Sequence, residues 1–436
     1  MNKSMIKTTV VTLFLIIAAV PGCNNRGTNI PPVSGLDGGE AWTSGLHVFS
    51  PQLRWQFGNE LELMPMWVYI PQVAADPPLG EARPVPLLIL LAPQNGDHFY
   101  FANHGLKILL QEMISDGTIQ PMIVVCIPSN PAFGGYFYAG GYNFEDTTKV
   151  NDSTVPTTGN YDNIIGKDLI NYIDFILNFR VLDSKQKHGI GGVGNGAYGA
   201  FRAALLHDTT FGSISVTDGP LDFDGAPGLG NGLIDLFVDA LLEQGLLNVS
   251  DSLFKTFDSS SSWPLSKLFI GSSFAFSPHD TVIYDRKSAP NSRIWVIDST
   301  KIITDTATLI PGFITGGSAY RFNYHLPFTS SGNVYAPIWN NFWMTEDLAN
   351  LLDTSRTAGS PGLDGVNIWI ATTDQANLNY HQQTQSWINT LTGAPYNYPV
   401  VVRNYRGAPG NPATGDQYLY DLLREILIFH SNSFGN

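Results

Sequence analysis

Apolar residues along the chain gather in short continuous runs, and between the runs they recur at helical spacing. Residues 64–71 (MPMWVYIP) and 86–93 (PLLILLAP) predict strands, the second unbroken enough to be buried on both faces of a parallel sheet. A helix over 105–114 and a strand over 122–127 come next, and then a long helix over 161–179. There Ile165, Leu169, Ile173 and Leu177 fall at i, i+4 spacing beside Ile176 and make one apolar stripe. Residues 211–218 (FGSISVTD) read as a strand. After a long interval the alternation resumes with a strand over 366–374 (VNIWIATTD), a helix over 375–391, a strand over 399–405 (PVVVRNY) and a helix over 416–429. Strand and helix alternating on both sides of the interval predict an α/β fold with a doubly wound, mostly parallel sheet.

The chain start follows a different pattern. Lys3 and Lys7 precede an apolar run over residues 10–20, and Val20-Pro21-Gly22-Cys23 closes it as the lipobox closes a bacterial lipoprotein signal. Eleven apolar residues are too few to span a bilayer. The expectation is a signal peptide over 1–22, lipidation of Cys23 and a tether over 23–45, whose Gly, Pro and Asn residues suit a flexible linker. Asn24 rather than Asp follows the cysteine, and by resemblance to Gram-negative lipoprotein sorting this favours the outer membrane if the source is Gram-negative. The predicted location is therefore the bacterial cell envelope, with the membrane as a partner through the lipid. Residues 46–436 form the folded domain, long enough for one large α/β unit, with 222–364 as a lid-type insertion.

Charge and cysteine content narrow the function classes. Losing Lys3 and Lys7 with the leader takes the formal charge from −14 to −16, which excludes a nucleic-acid partner. The second cysteine, Cys126, ends an apolar strand and reads as a buried structural thiol. His98, His104, His325 and His381 show no paired-histidine spacing, so no metal or other cofactor is expected.

Candidate chemistry centres on residues 188–204, HGIGGVGNGAYGAFRAA. This segment has the strand, sharp turn and small-residue helix start of the G-x-S-x-G motif of serine esterases, with Gly192 and Gly196 at the framing positions. Gly194 stands where the attacking serine belongs, so the nucleophile position is vacant.

Other blocks extend the likeness. Tyr161-Asp162, Asp168-Leu169-Ile170 and Ile173-Asp174 precede the motif, while His207-Asp208 and Phe211-Gly212-Ser213 follow it. Further on stand Phe274-Ala275-Phe276-Ser277-Pro278, Leu326-Pro327-Phe328 and the strand ending at Asp374. In this order they resemble the esterase family of α/β hydrolases that includes esterase D, enterochelin esterases and mycolyltransferase antigens, in its lipoprotein members. The resemblance runs from about residue 64 to the C-terminus and implies an α/β-hydrolase fold.

What it implies for the site is mixed. Asp374 matches the acid position, but residues 400–428 hold no histidine, and Asp416 stands at the histidine position. Asn195 keeps a backbone N–H for an oxyanion hole. The loop that should give the second donor reads Ala92-Pro93; proline has no N–H, leaving Gln94 as the candidate. An aspartate is a weak base at neutral pH, and loss of nucleophile or histidine in such an enzyme costs on the order of 10⁶ in turnover. The expectation is a catalytically impaired esterase homologue that binds a partner protein or a small-molecule ligand such as a carbohydrate or acyl ester. The alternative is a working carboxylic-ester or sugar-ester hydrolase of the envelope with a nucleophile elsewhere, and a serine or threonine within bonding reach of an imidazole at the pocket floor would overturn the impaired reading.

Lesser features are read conservatively. His207 is structural, Asp222-Phe223-Asp224-Gly225 is a turn rather than a calcium loop, and Ser259 to Ser262 are loop serines. The insertion is expected to cover the pocket at the carboxyl edge of the sheet. Its aromatics, Tyr320, Phe322, Tyr324, Trp339, Phe342 and Trp343, are expected to form a small core of its own. Tyr136-Phe137-Tyr138, with Tyr142 and Phe144, is expected to touch ligand.

Overall fold

The computed structural model describes residues 40–46, 64–75, 84–94, 96–129, 137–139, 164–176, 181–225, 232–236, 272–273, 276–277, 281–284, 293–296, 309–314, 320–327, 333–373, 379–405 and 416–435. Among the described residues, eight strands make the main sheet: β1 (Glu40–Leu46), β2 (Met64–Ile70), β3 (Leu87–Leu91), β4 (Ile123–Ile127), β5 (His188–Val193), β6 (Ser213–Thr217) and, beyond the insertion, β11 (Asn367–Thr373) and β12 (Val400–Tyr405). Their order is β1-β2-β4-β3-β5-β6-β11-β12. Every pair from β4 to β12 is parallel, while β2 runs antiparallel to both its neighbours. This is the α/β-hydrolase sheet.

Side chains alternate between the two faces as a period of two requires. Leu87, Ile89 and Leu91 of β3 and Ile123, Val125 and Ile127 of β4 enter one core. Leu88, Leu90, Val124 and Cys126 enter the other. Both faces are covered, which is why these strands are apolar throughout. Helices α1 (Leu106–Ser115) and α6 (Asp416–Gly435) lie over the second face, and α2 (Leu169–Ile176), α3 (Asn195–Leu206), α4 (Leu348–Thr357) and α5 (Tyr380–Thr392) belong to the first. Burial pushes the Cys126 thiol well above its ordinary range, as a structural thiol requires.

Several expectations need correction. The sheet begins inside the stretch read as tether, because Glu40–Leu46 pairs residue for residue with β2 as its edge partner. Such pairing uses main-chain groups, so linker-like composition did not reveal it. The long helix over 161–179 opens as a wide π turn, Ile164–Asp168, before α2. A Cβ at Gly166 would stand 2.1 Å from the His207 ring, so His207 packs here as a structural residue. The leader, Cys23, Tyr136, Tyr142, Phe144 and the Ser259–Ser262 run lie outside the described residues.

The insertion carries a second, four-stranded antiparallel sheet in the order β8-β7-β10-β9, from β7 (Thr281–Tyr284), β8 (Arg293–Val296), β9 (Leu309–Ile314) and β10 (Tyr320–His325). Trp339 and Trp343 do not form a separate core. They join Phe223, Phe276 and Tyr198 in the main one, with Phe276 and Trp343 rings 5.2 Å apart. Phe137 and Tyr138 also belong there, fully buried, with Phe137 edge-on to Tyr198 at 5.3 Å, so they are packing residues rather than ligand contacts. The Trp343 indole donates to Ser277 Oγ at 3.0 Å within the insertion, and Tyr198 ties α3 to it by donating its hydroxyl to the Glu346 carbonyl at 2.6 Å. Asp222 accepts from the Gly225 amide at 2.8 Å, and the stretch is a turn as read.

Candidate active site

Three strand ends, those of β5, β6 and β11, meet beside the start of α3. Gly194 links β5 to α3 with φ 57° and ψ −123°, a backbone that non-glycine residues adopt only under strain. Its amide donates to the Thr217 carbonyl at 3.0 Å, and its own carbonyl accepts from Ala197 at 2.9 Å. The turn is closed by two contacts that only hydrogens permit. A Cβ at Gly192 would stand 2.0 Å from the Gly196 carbonyl oxygen, and one at Gly196 would stand 2.2 Å from that of Leu91.

Position 194 is tight but not closed. A Cβ there would lie 3.3 Å from Pro93 Cβ. Proline covers the apex, on a turn in which Gly96 donates to the Pro93 carbonyl at 2.8 Å and Tyr138 donates to the Ala92 carbonyl at 2.8 Å. Gln94, the oxyanion candidate, is half-buried in this turn. Gly194→Ser should therefore fold, at a cost of about 1–3 kcal/mol from the strained backbone. Urea unfolding checks this; a loss of solubility would show that Pro93 blocks the position outright.

Asn195 opens α3 and is fully buried, its side-chain oxygen accepting from the Tyr380 hydroxyl at 2.9 Å. Of the other expected site residues, Asp374 lies outside the described residues and Asp416 is placed only as the first residue of α6, with its side chain outside them. No group of histidine, cysteine, aspartate and glutamate able to hold a metal occurs among the described residues.

A carboxylate that the sequence did not single out stands one strand from Gly194. Asp218, buried at φ 33° just past β6, accepts from the Thr372 hydroxyl at 2.8 Å and from the Thr373 amide at 3.1 and 3.2 Å. Burial pushes its carboxyl up to about 7, against the lowering effect of those hydrogen bonds. Thr372 Oγ1 also lies 2.8 Å from His381 Nδ1. Sequence gave no hint of this, because the Asp218–Thr372 contact joins residues 154 apart.

The raised carboxyl sets a pH dependence. A folded-state pKa near 7 against an unfolded value near 3.8 means that the fold holds its proton longer than the unfolded chain, so stability falls as pH rises from about 4 to 7. Asp218→Asn should be more stable than the parent at pH 8 by about 1–3 kcal/mol, with the difference shrinking toward pH 4. Equal stability at both pH values would contradict it.

Hydroxyls meet imidazoles at two buried places in this fold. Thr372 is fully buried. Its single proton goes to Asp218. Ser213 and Ser215 of β6 each lie 2.8 Å from His430 of α6, and all three are fully buried between the sheet and that helix.

The family described as "Putative esterase" matches residues 64–300 of the chain. No curated protein matches it. Similar solved structures include a ferulic acid esterase (13% identity, 91% of this chain and 98% of that one, TM-score 0.49). S-formylglutathione hydrolase FrmB from Staphylococcus aureus is similar at 11% identity, over 90% of this chain and 97% of that one, with TM-score 0.46. MPT51 from Mycobacterium tuberculosis is similar at 10% identity, over 90% of this chain and 99% of that one, with TM-score 0.45.

Proposed function

The chain belongs to the "Putative esterase" family of α/β hydrolases, and from that premise we propose that it is a catalytically impaired member, anchored to the bacterial envelope through lipid on Cys23, that binds a small carbohydrate or acyl-ester ligand or a partner protein. The observation that carries this reading is Gly194 at the apex of the turn, with Pro93 against the space a side chain would use. A covalent acyl-transfer site of this kind needs a side-chain oxygen or sulfur there. A backbone glycine leaves none, and the neighbouring proline supplies no N–H for charge stabilisation. What remains is a scaffold able to bind without turning over.

One contact favours a working hydrolase, that of Thr372 with His381. The threonine's burial and its commitment to Asp218 weigh against it as an attacking group. Two measurements on the purified soluble domain test the proposal. Short p-nitrophenyl esters should be hydrolysed no faster than with heat-denatured protein. Across a panel of sugars and acyl esters at least one compound should raise the melting temperature, since a ligand at 100 times its Kd adds about 2.7 kcal/mol. Saturable hydrolysis would overturn the impaired reading, and a flat panel with no protein partner would overturn the binding one.

A further inference from the structure

The fold retains an oriented imidazole that the triad positions do not account for. His381 sits in the first turn of α5, and the start of that helix is tied at two points to residues flanking the apex. Tyr380, one residue before it, donates to Asn195 Oδ1 at 2.9 Å. Thr384, three residues after it, accepts from the Gly219 amide at 3.1 Å. Gly219 in turn packs on Gly194, since a Cβ on it would lie 2.6 Å from the Gly194 carbonyl oxygen. We propose that His381 is the site's surviving acid–base residue, with Thr372 and Asp218 as positioning residues that fix its tautomer, in place of the histidine missing ahead of α6. This rests on the reading that position 194 is the emptied nucleophile site.

Proton bookkeeping gives the tautomer. Thr372 has one proton and donates it to Asp218 Oδ1 when that carboxyl is ionised, so its oxygen accepts from His381 Nδ1–H. The lone pair is then left on Nε2, and His381 is only partly buried. A carboxylate orients a catalytic histidine in the same sense when it bonds directly; here a hydroxyl intervenes. From the end of β5 to that of β11 is two strand spacings, about 10 Å. An imidazole, one bridging water and a serine side chain cover that span.

The test restores the missing oxygen. In Gly194→Ser at pH 8.5, above the value near 7 to which burial lifts Asp218, a fluorophosphonate should label one serine slowly. The Ser Oγ–P bond forms, the P–F bond breaks and fluoride leaves, while the hydroxyl proton passes through water to His381 Nε2. G194S/H381A and G194S/T372V should label at least 10-fold more slowly, read by intact mass. A folded G194S that does not label, or label rates within twofold in G194S/H381A, overturns the proposal. If G194S fails to fold, nitrogen-15 NMR of the parent decides instead: His381 should be the Nδ1–H tautomer, and T372V should abolish that preference. Identical ring-nitrogen shifts in the two proteins overturn it. Labelling of the parent, by contrast, would strike only the proposed function.

Discussion

Gly196→Ala should yield no folded protein, while Gly194→Ser, two residues away, stays soluble. The contrast follows from what each new Cβ meets. At position 196 it would stand 2.2 Å from the Leu91 carbonyl oxygen and 2.9 Å from that of Ala92, both main-chain atoms of the central strand β3 and its exit. Neither can swing aside as a side chain would, so β3 or α3 must shift within a core packed on both faces. At position 194 the nearest neighbour is a proline ring atom at 3.3 Å, which needs to give by only a few tenths of an ångström. We expect a loss of more than about 4 kcal/mol for Gly196→Ala. Circular dichroism and urea unfolding of the two variants separate the outcomes; comparable stabilities would mean that α3 does not sit as tightly on β3 as described.

The second large effect is acid lability centred on His430. This residue is fully buried beneath β5 and β6, with one ring nitrogen on Ser213 Oγ and the other on Ser215 Oγ, both at 2.8 Å. Room for the ring exists because residue 189 is glycine; a Cβ there would be 2.5 Å from His430 Nδ1. A neutral imidazole donates through one nitrogen and accepts through the other, so two hydroxyls satisfy it. Protonation brings a charge with no carboxylate partner among the described residues, and burial drives the folded-state value down from 6.5 to about 3. The sign is that of a base held neutral by the fold. Its contribution is complete above pH 6.5 and is lost as pH falls from there toward 3, about 4–5 kcal/mol across that window.

Burial lowers His188 and His207 in the same direction. The raised carboxyls of Asp218 and Asp347 act oppositely. The comparison is therefore between parent and His430→Gln. The variant should be less stable at pH 8, and its deficit should shrink steadily as pH falls from 6.5 to 4. A deficit independent of pH would show that His430 is not held neutral.

Much of the fold was legible because it rests on local pattern. Continuous apolar runs such as LLILL mark strands covered on both faces, and the G-x-G-x-G spacing marks a turn where backbone atoms meet at about 2 Å from any added carbon. Pairing without side-chain signature was not legible, hence the missed start of the sheet at Glu40. Nor were contacts between distant segments. Asp218 reads as the end of an ordinary strand and His381 as a stray histidine; only the parallel register of β6 and β11 brings them to either side of Thr372. Aromatic residues in a Gly-rich loop suggest ligand contact, but Phe137 and Tyr138 serve the core, Phe137 against the rings of Tyr198 and of Phe276 from the insertion.

Everything functional turns on whether the parent protein presents an activated hydroxyl. Incubating the purified soluble domain with excess fluorophosphonate, followed by intact mass and peptide mapping, reads that directly. No adduct should form on the parent under conditions that fully label an active serine hydrolase in the same tube. A single stoichiometric adduct on any serine or threonine, removed by prior heat denaturation, would contradict the account.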